Sequence, residues 1–110
     1  MKISIPIIVA NLLAVSVFTR PSGAGSGSGA EIFQENCAGC HGPDGRAQTY
    51  LGKKIKAADL TSDAVQQQND AQLLETVQDG KKKMPAFKGK LGETEIHAVV
   101  AYVRELAKKH

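Results

Sequence analysis

Cys37-Ala38-Gly39-Cys40-His41 is the stretch on which the reading of this chain turns. C-x-x-C-H is the pattern of covalent c-type haem attachment. Two thiols three residues apart can add across the two vinyl groups of one haem and become thioethers. The histidine that follows is then held beneath the ring, where its imidazole can ligate iron. Two other chemistries use part of the same pattern. A thioredoxin-like redox pair needs a βαβ setting, and the sequence shows no strand pattern. A structural zinc site closes with four Cys/His ligands, and Cys37 and Cys40 are the only cysteines.

With 110 residues the chain has room for one domain. Its first residues read as a targeting segment rather than fold. Lys2 gives a basic start, and Ile3 to Phe18 is an apolar run broken only by Ser4, Pro6, Asn11 and Ser16. As a helix those sixteen residues would reach about 24 Å, short of the roughly 20 residues that a membrane span takes. A secretory signal ending among Ser22-Gly23-Ala24 is the expectation for residues 1–24, with an uncleaved N-terminal anchor as the alternative. Residues 25–28 are a flexible Gly/Ser segment. Both readings place the rest of the chain outside the cytoplasm, in the periplasm or an equivalent exported location. Membrane association follows only if the segment is retained. The 86 residues from Gly25 to His110 would bury little apolar surface by themselves and need a staple. Haem is one, as an apolar plate for the chain to wrap. The aromatics left to pack around it or on the covering helices are Phe33, Tyr50, Phe87 and Tyr102.

The remaining periodicity is helical. Ala30 to Asn36 forms a short helix entering the attachment site, with Ile32 and Phe33 facing inward. His41 to Gly45 is turn chemistry, and residues 46–61 carry no sustained period. Ser62 to Gln68 is a short helix capped by Ser62 or Asp63. Asn69 with Gln72 makes a capping box for a helix whose inner face holds Leu73, Leu74 and Val77, ended by Gly80. The last helix begins near Gly92, with Glu93 and Glu95 favourably placed in its first turn. Ile96, Val99, Val100, Val103 and Leu106 recur at helical spacing along it. The expected domain, residues 29–110, is all-α with about four short helices.

A haem iron held by one histidine has a second face. A thioether there gives a six-coordinate electron-transfer iron of raised potential. Met84 is the candidate, because the other methionine is the initiator. It lies in a polar Lys/Gly loop, a poor place for a core-filling methionine, and Pro85 restrains its backbone. His97 and His110 are rival ligands for a bis-His iron. His97 lies beside the apolar stripe of the last helix and reads as solvent-facing, and His110 is terminal.

These residues together resemble the class I c-type cytochromes, the small monohaem carriers, over residue 29 to the end. The resemblance rests on C-A-G-C-H near the start of the domain, Met84-Pro85 in a late loop, and Gly29-x-x-x-Phe33 paired with Val99-Val100-Ala101-Tyr102. Met84-Pro85-Ala86-Phe87 and the Glu95-Ile96 helix are similar to the bacterial short-chain branch. The resemblance implies the cytochrome c fold, with first and last helices crossing where Gly29 and Phe33 meet Val99 and Tyr102. It also implies one covalent haem c, thioethers at Cys37 and Cys40, and iron ligation by His41 and Met84. Family members often place a proline carbonyl against the histidine Nδ1. No proline lies between Pro43 and Pro85 here, so a carbonyl in the 45–52 region is expected instead.

The implied function is one-electron transfer between periplasmic redox partners by a protein that is not an enzyme. The alternatives are a membrane-anchored cytochrome subunit of a dehydrogenase or oxidase, and an open-site haem enzyme or gas sensor. Formal net charge is +3, and loss of Lys2 and Arg20 leaves +1, so the distribution of charge says more than its sum. Lys53, Lys54, Lys56, Lys81, Lys82, Lys83, Lys88 and Lys90 form a basic surface suited to acidic redox proteins. The basic groove interleaved with aromatics that binds single-stranded nucleic acid is missing. A monomer is expected.

Overall fold

The computed structural model describes residues 27–109 together with Lys2 and Ser4, so the expectations for the targeting segment, residues 25 and 26, and His110 lie outside the described residues. Among the described residues six helical elements follow in order: α1 Gly29–Asn36, α2 Ala38–His41, α3 Tyr50–Ile55, α4 Asp63–Gln66, α5 Asp70–Asp79 and α6 Glu93–Lys108. The all-α class is as expected, and no strand is present among the described residues. Two elements exceed the expected four. α2 is the single turn made by C-x-x-C-H itself. α3 falls inside the stretch without a sustained period.

Local chemistry explains the boundaries. Ser28 caps α1 by accepting from the Glu31 N–H at 3.3 Å. Thr49 caps α3 and Ser62 caps α4 in the same way. At α5 the capping box is complete: Asn69 Oδ1 accepts from the Gln72 N–H at 2.8 Å, and Gln72 Oε1 accepts from the Asn69 N–H at 3.0 Å. Gly92 opens α6, where its own N–H donates to Glu95 Oε1 at 3.0 Å.

The core forms where α1 and α5 meet α6. Ile96, Val99, Val100, Val103 and Leu106 are all buried, as the stripe predicts, and they pack with Ile32, Phe33, Leu73, Val77, Phe87 and Leu91. α1 and α6 approach closely. A Cβ on Gly29 would collide with the Ala98 carbonyl oxygen, and would stand 2.8 Å from the Ala98 carbonyl carbon and 3.2 Å from Tyr102 Cβ. The close approach is therefore to Ala98 rather than Val99, which turns into the core beside Phe33. The Phe33 and Tyr102 rings are tilted with centroids 5.3 Å apart, a favourable aromatic geometry. Most of the four aromatics are expected near the haem or on the helices covering it; Tyr50 stands apart on α3 and is 84% exposed.

A polar clamp holds α6 to the α4–α5 junction. Arg104 Nη1 donates to the Gln66 carbonyl at 2.9 Å and to Gln66 Oε1 at 3.1 Å; Nη2 donates to the Gln68 carbonyl at 2.6 Å and to Asp70 Oδ1 at 3.0 Å. Asp70 is largely exposed, so solvent weakens the ion pair itself. The carbonyls are half-buried and matter more.

Two outcomes follow for stability. Gly29→Val forces the terminal helices apart at a cost of about 1–3 kcal/mol, and lowers the melting temperature by roughly 5–20 °C. Arg104→Met destabilises by about 1–3 kcal/mol, whereas Asp70→Asn costs under about 1 kcal/mol; paired urea titrations measure the difference.

Candidate functional site

The attachment motif hangs from the end of α1. Cys37 is the C-cap residue of α1, its N–H donating to the Phe33 carbonyl at 2.8 Å. The Cys37 carbonyl then accepts from the Cys40 N–H at 3.2 Å and the His41 N–H at 2.9 Å, which winds the motif into α2. Both cysteines are free thiols, Cys37 buried and Cys40 half-buried. Burial first, and the neighbouring Cys40 second, push the Cys37 thiol up to about 11. A reactive C-x-x-C redox pair needs the opposite shift, so this environment disfavours a thioredoxin-like role. The zinc reading finds no partners, because no group of three or more His, Cys, Asp or Glu side chains gathers among the described residues.

His41 is fixed from two sides. Its carbonyl accepts from the Ala47 N–H at 2.7 Å. Its ring Nδ1 lies 2.9 Å from the Ala58 carbonyl oxygen. A carbonyl can only accept, so Nδ1 carries the proton and Nε2 keeps a lone pair for a metal. The partner carbonyl is therefore Ala58, and not one in the 45–52 region. Carbonyls of that region are engaged elsewhere: Gly45 accepts from the Leu60 N–H, and Thr49, which opens α3, accepts from the Lys53 N–H at 3.0 Å. α3 ends at Lys56 in the left-handed conformation, φ 57° and ψ 48°. The Ala57 N–H then returns to the Gly52 carbonyl at 2.9 Å, and the Leu60 N–H bonds the Gly45 carbonyl at 2.7 Å. Ala58 is held between these two bonds.

Met84 is half-buried and packs against the core that also contains Cys37. Its loop is tied at both ends. Lys81 and Met84 exchange main-chain hydrogen bonds at 2.9 and 3.1 Å. Beyond Met84, the Phe87 N–H donates to the Val77 carbonyl at 3.0 Å, and the Phe87 side chain is buried. Gly80 starts the loop with φ 75°, where a Cβ would stand 2.6 Å from the Met84 carbonyl oxygen. His97 lies on the exposed side of α6, its Nε2 3.9 Å from Glu93 Oε1, as expected for a residue outside the core.

The basic residues sit where the sequence suggests, on the end of α3 and on the Met84 loop. All eight are exposed. Lys88 pairs with Asp79 at 3.5 Å and the Lys90 ammonium lies 5.9 Å from the Phe87 ring centroid, so these two are engaged locally.

The donor set fits a covalently held haem: two unpaired thiols on one helical turn, an imidazole with its tautomer set by the main chain, and a thioether at the edge of the same core. Comparison with known proteins agrees. Residues 26–103 match the family described as cytochrome c oxidase, cbb3-type, subunit III. Cytochrome c6 of Nostoc sp. (strain PCC 7120) is 38% identical over 97 residues, covering 84% of this chain and 85% of that protein. The cbb3-type cytochrome c oxidase subunit FixP of Bradyrhizobium sp. (strain ORS 278) is 35% identical over 103 residues, 91% of this chain but 34% of FixP. The solved structure of the KustC0563 c-type cytochrome superposes with a TM-score of 0.67 at 31% identity, covering 72% of this chain and 96% of that one. Fold, motif and relatives lead to one conclusion: the chain belongs to the class I c-type cytochromes, haem c electron carriers rather than enzymes.

Proposed function

We propose that this cytochrome is a one-electron carrier of an exported compartment, with its haem tethered by thioethers at Cys37 and Cys40 and its iron ligated by His41 and Met84. The observation that carries the reading is the C-x-x-C-H turn ending in an imidazole whose Nδ1 is committed to the Ala58 carbonyl at 2.9 Å. When bound, the haem supplies a reversible Fe(II)/Fe(III) couple, and the chain does the rest. The bond to Ala58 makes the imidazole a stronger donor and fixes its plane. Main-chain bonds on both sides of Met84 hold the thioether in a restricted volume. The apolar core excludes water from one side of the site. With His41 and Met84 both holding the iron, no position would be left for a substrate, which suits outer-sphere transfer and not catalysis.

The basic start and apolar run before residue 24 support export. Among the described residues no helix is long and apolar enough to cross a membrane. The lysines on α3 and on the Met84 loop support docking to acidic faces of redox proteins. A second reading has its own support. The family match to an oxidase subunit and the similarity to FixP favour a cytochrome domain working inside a terminal oxidase. The chain spans about a third of FixP, 34%, so any such role concerns this domain alone.

A reduced-minus-oxidised visible spectrum of the exported protein tests haem, attachment and ligation together. It should show sharp c-type bands, a pigment that stays with the protein in acidic acetone, and a Met–iron charge-transfer band at the red end when oxidised. Met84→Ala should keep the covalent pigment, lose that band and bind CO. Its potential should fall by an appreciable part of the roughly 0.8 V range that axial ligation spans. An unchanged potential would remove Met84 from the iron.

A further inference from the structure

We infer that Thr49 is a positioning residue for the iron ligand His41, acting through the single hydroxyl that joins α3 to the attachment turn. The inference rests on the reading that His41 ligates the iron, and concerns what sets the donor strength of that ligand.

Three hydrogen bonds converge on Thr49 Oγ1. Its proton is shared between the Gly39 carbonyl at 3.0 Å and the Cys40 carbonyl at 3.1 Å, and its oxygen accepts from the Gly52 N–H at 2.9 Å. One atom thus satisfies carbonyls left over at the end of α2 and an N–H left over at the start of α3. Only a hydroxyl donates and accepts from the same atom in this way. The seat around it is tight. A Cβ on Gly52 would run into the Cys40 carbonyl oxygen and stand 2.8 Å from Thr49 Oγ1 and 2.9 Å from the Ala47 carbonyl oxygen. α3 is therefore registered against the residue before His41 to within an atom's width.

The segment leaving that helix carries the partner of the imidazole. Gly52 bonds Thr49 through its N–H, and its carbonyl accepts from Ala57 at 2.9 Å. The next residue, Ala58, takes the His41 Nδ1 proton at 2.9 Å. The bonds close a ring from the Cys40 carbonyl through Thr49, Gly52, Ala57 and Ala58 to the His41 imidazole. Opening the ring at Thr49 lets the Ala58 carbonyl drift from Nδ1. A weaker Nδ1–H···O bond leaves a less electron-rich imidazole, which stabilises Fe(III) less. Loss of the hydroxyl thus raises the reduction potential. An ordinary N-cap would affect stability alone.

The test uses the haem-loaded full-length protein in wild-type, Thr49→Val and Thr49→Ser forms. The readouts are the potential, by spectroelectrochemical titration, and the exchange of the His41 Nδ1 proton with deuterium, by NMR of the reduced protein. Thr49→Val should raise the potential and speed exchange about tenfold, the effect of one hydrogen bond lost, with the Met–iron band retained. Thr49→Ser should return both values to those of wild type. If Thr49→Val does not accumulate with haem, Thr49→Ala carries the same readouts with less disturbance at the site. A variant that melts lower at unchanged potential and exchange rate overturns the positioning role, as does a serine that fails to rescue. Failure of the underlying reading looks different: wild-type protein without covalent pigment, or a His41→Ala variant with an unaltered visible spectrum.

Discussion

The close approach of α1 to α6 at Gly29 is the constraint from which the site is hung. An eight-residue helix is too short to persist by itself in water, so α1 exists because α6 covers it. The cover comes from Ile32 and Phe33, 2% and 0% exposed, each contributing about 1.5–3 kcal/mol of burial. Burial of that depth needs the two backbones nearly in contact, and the chain meets the need by placing no side chain opposite the Ala98 carbonyl. The consequence reaches the chemistry directly. Cys37 is both the cap of α1 and the first thiol of the motif, so the crossing that seats the helix also seats the attachment turn.

A second principle runs through the residues proposed to ligate the iron: their partners are main-chain atoms. The His41 ring bonds a carbonyl of alanine, its own carbonyl takes an amide of alanine, and Met84 is paired with Lys81 through backbone groups. No substitution at Ala58 removes the acceptor; only movement of the segment does. Left-handed Lys56 delivers that segment, in a conformation that is unfavourable for a residue with a Cβ by about 1–2 kcal/mol. The return bonds at Gly52 and Gly45 offset it. The arrangement converts a property of one imidazole into a property of how α3 is docked.

That is also why the site was only partly legible in the sequence. Caps and stripes write themselves in side chains, and these were readable: the Asn69 and Gln72 box, the α6 stripe from Ile96 to Leu106, and the attachment motif. α3 was not, because it is six residues long and carries Gly52, a residue that lowers helix propensity. The glycine that hid the helix is the one its docking requires, since any larger residue would strike the Cys40 carbonyl. Thr49 caps its start, but a cap with no period behind it does not announce a helix. The Ala58 carbonyl had no mark at all. Every residue has a carbonyl, and a proline was only the familiar way of presenting one.

Electron transfer without substrate binding makes one demand above others: the ligand cage must change little between the two charges of the iron. Long, solvated side chains are poor anchors for such a cage, because each keeps rotamer freedom that a change of charge can exploit. Main-chain hydrogen bonds inside short loops have little such freedom. His41, bonded at 2.7 and 2.9 Å, and Met84, in its exchanged pair with Lys81, the two proposed ligands, are both held in this second way. The same cage serves whether the domain diffuses between partners, as a carrier would, or is fixed within a larger oxidase, as the similarity to FixP allows. The difference between those lives then lies in what the lysine-bearing surface meets, while the interior formed by α1, α5 and α6 is common to both.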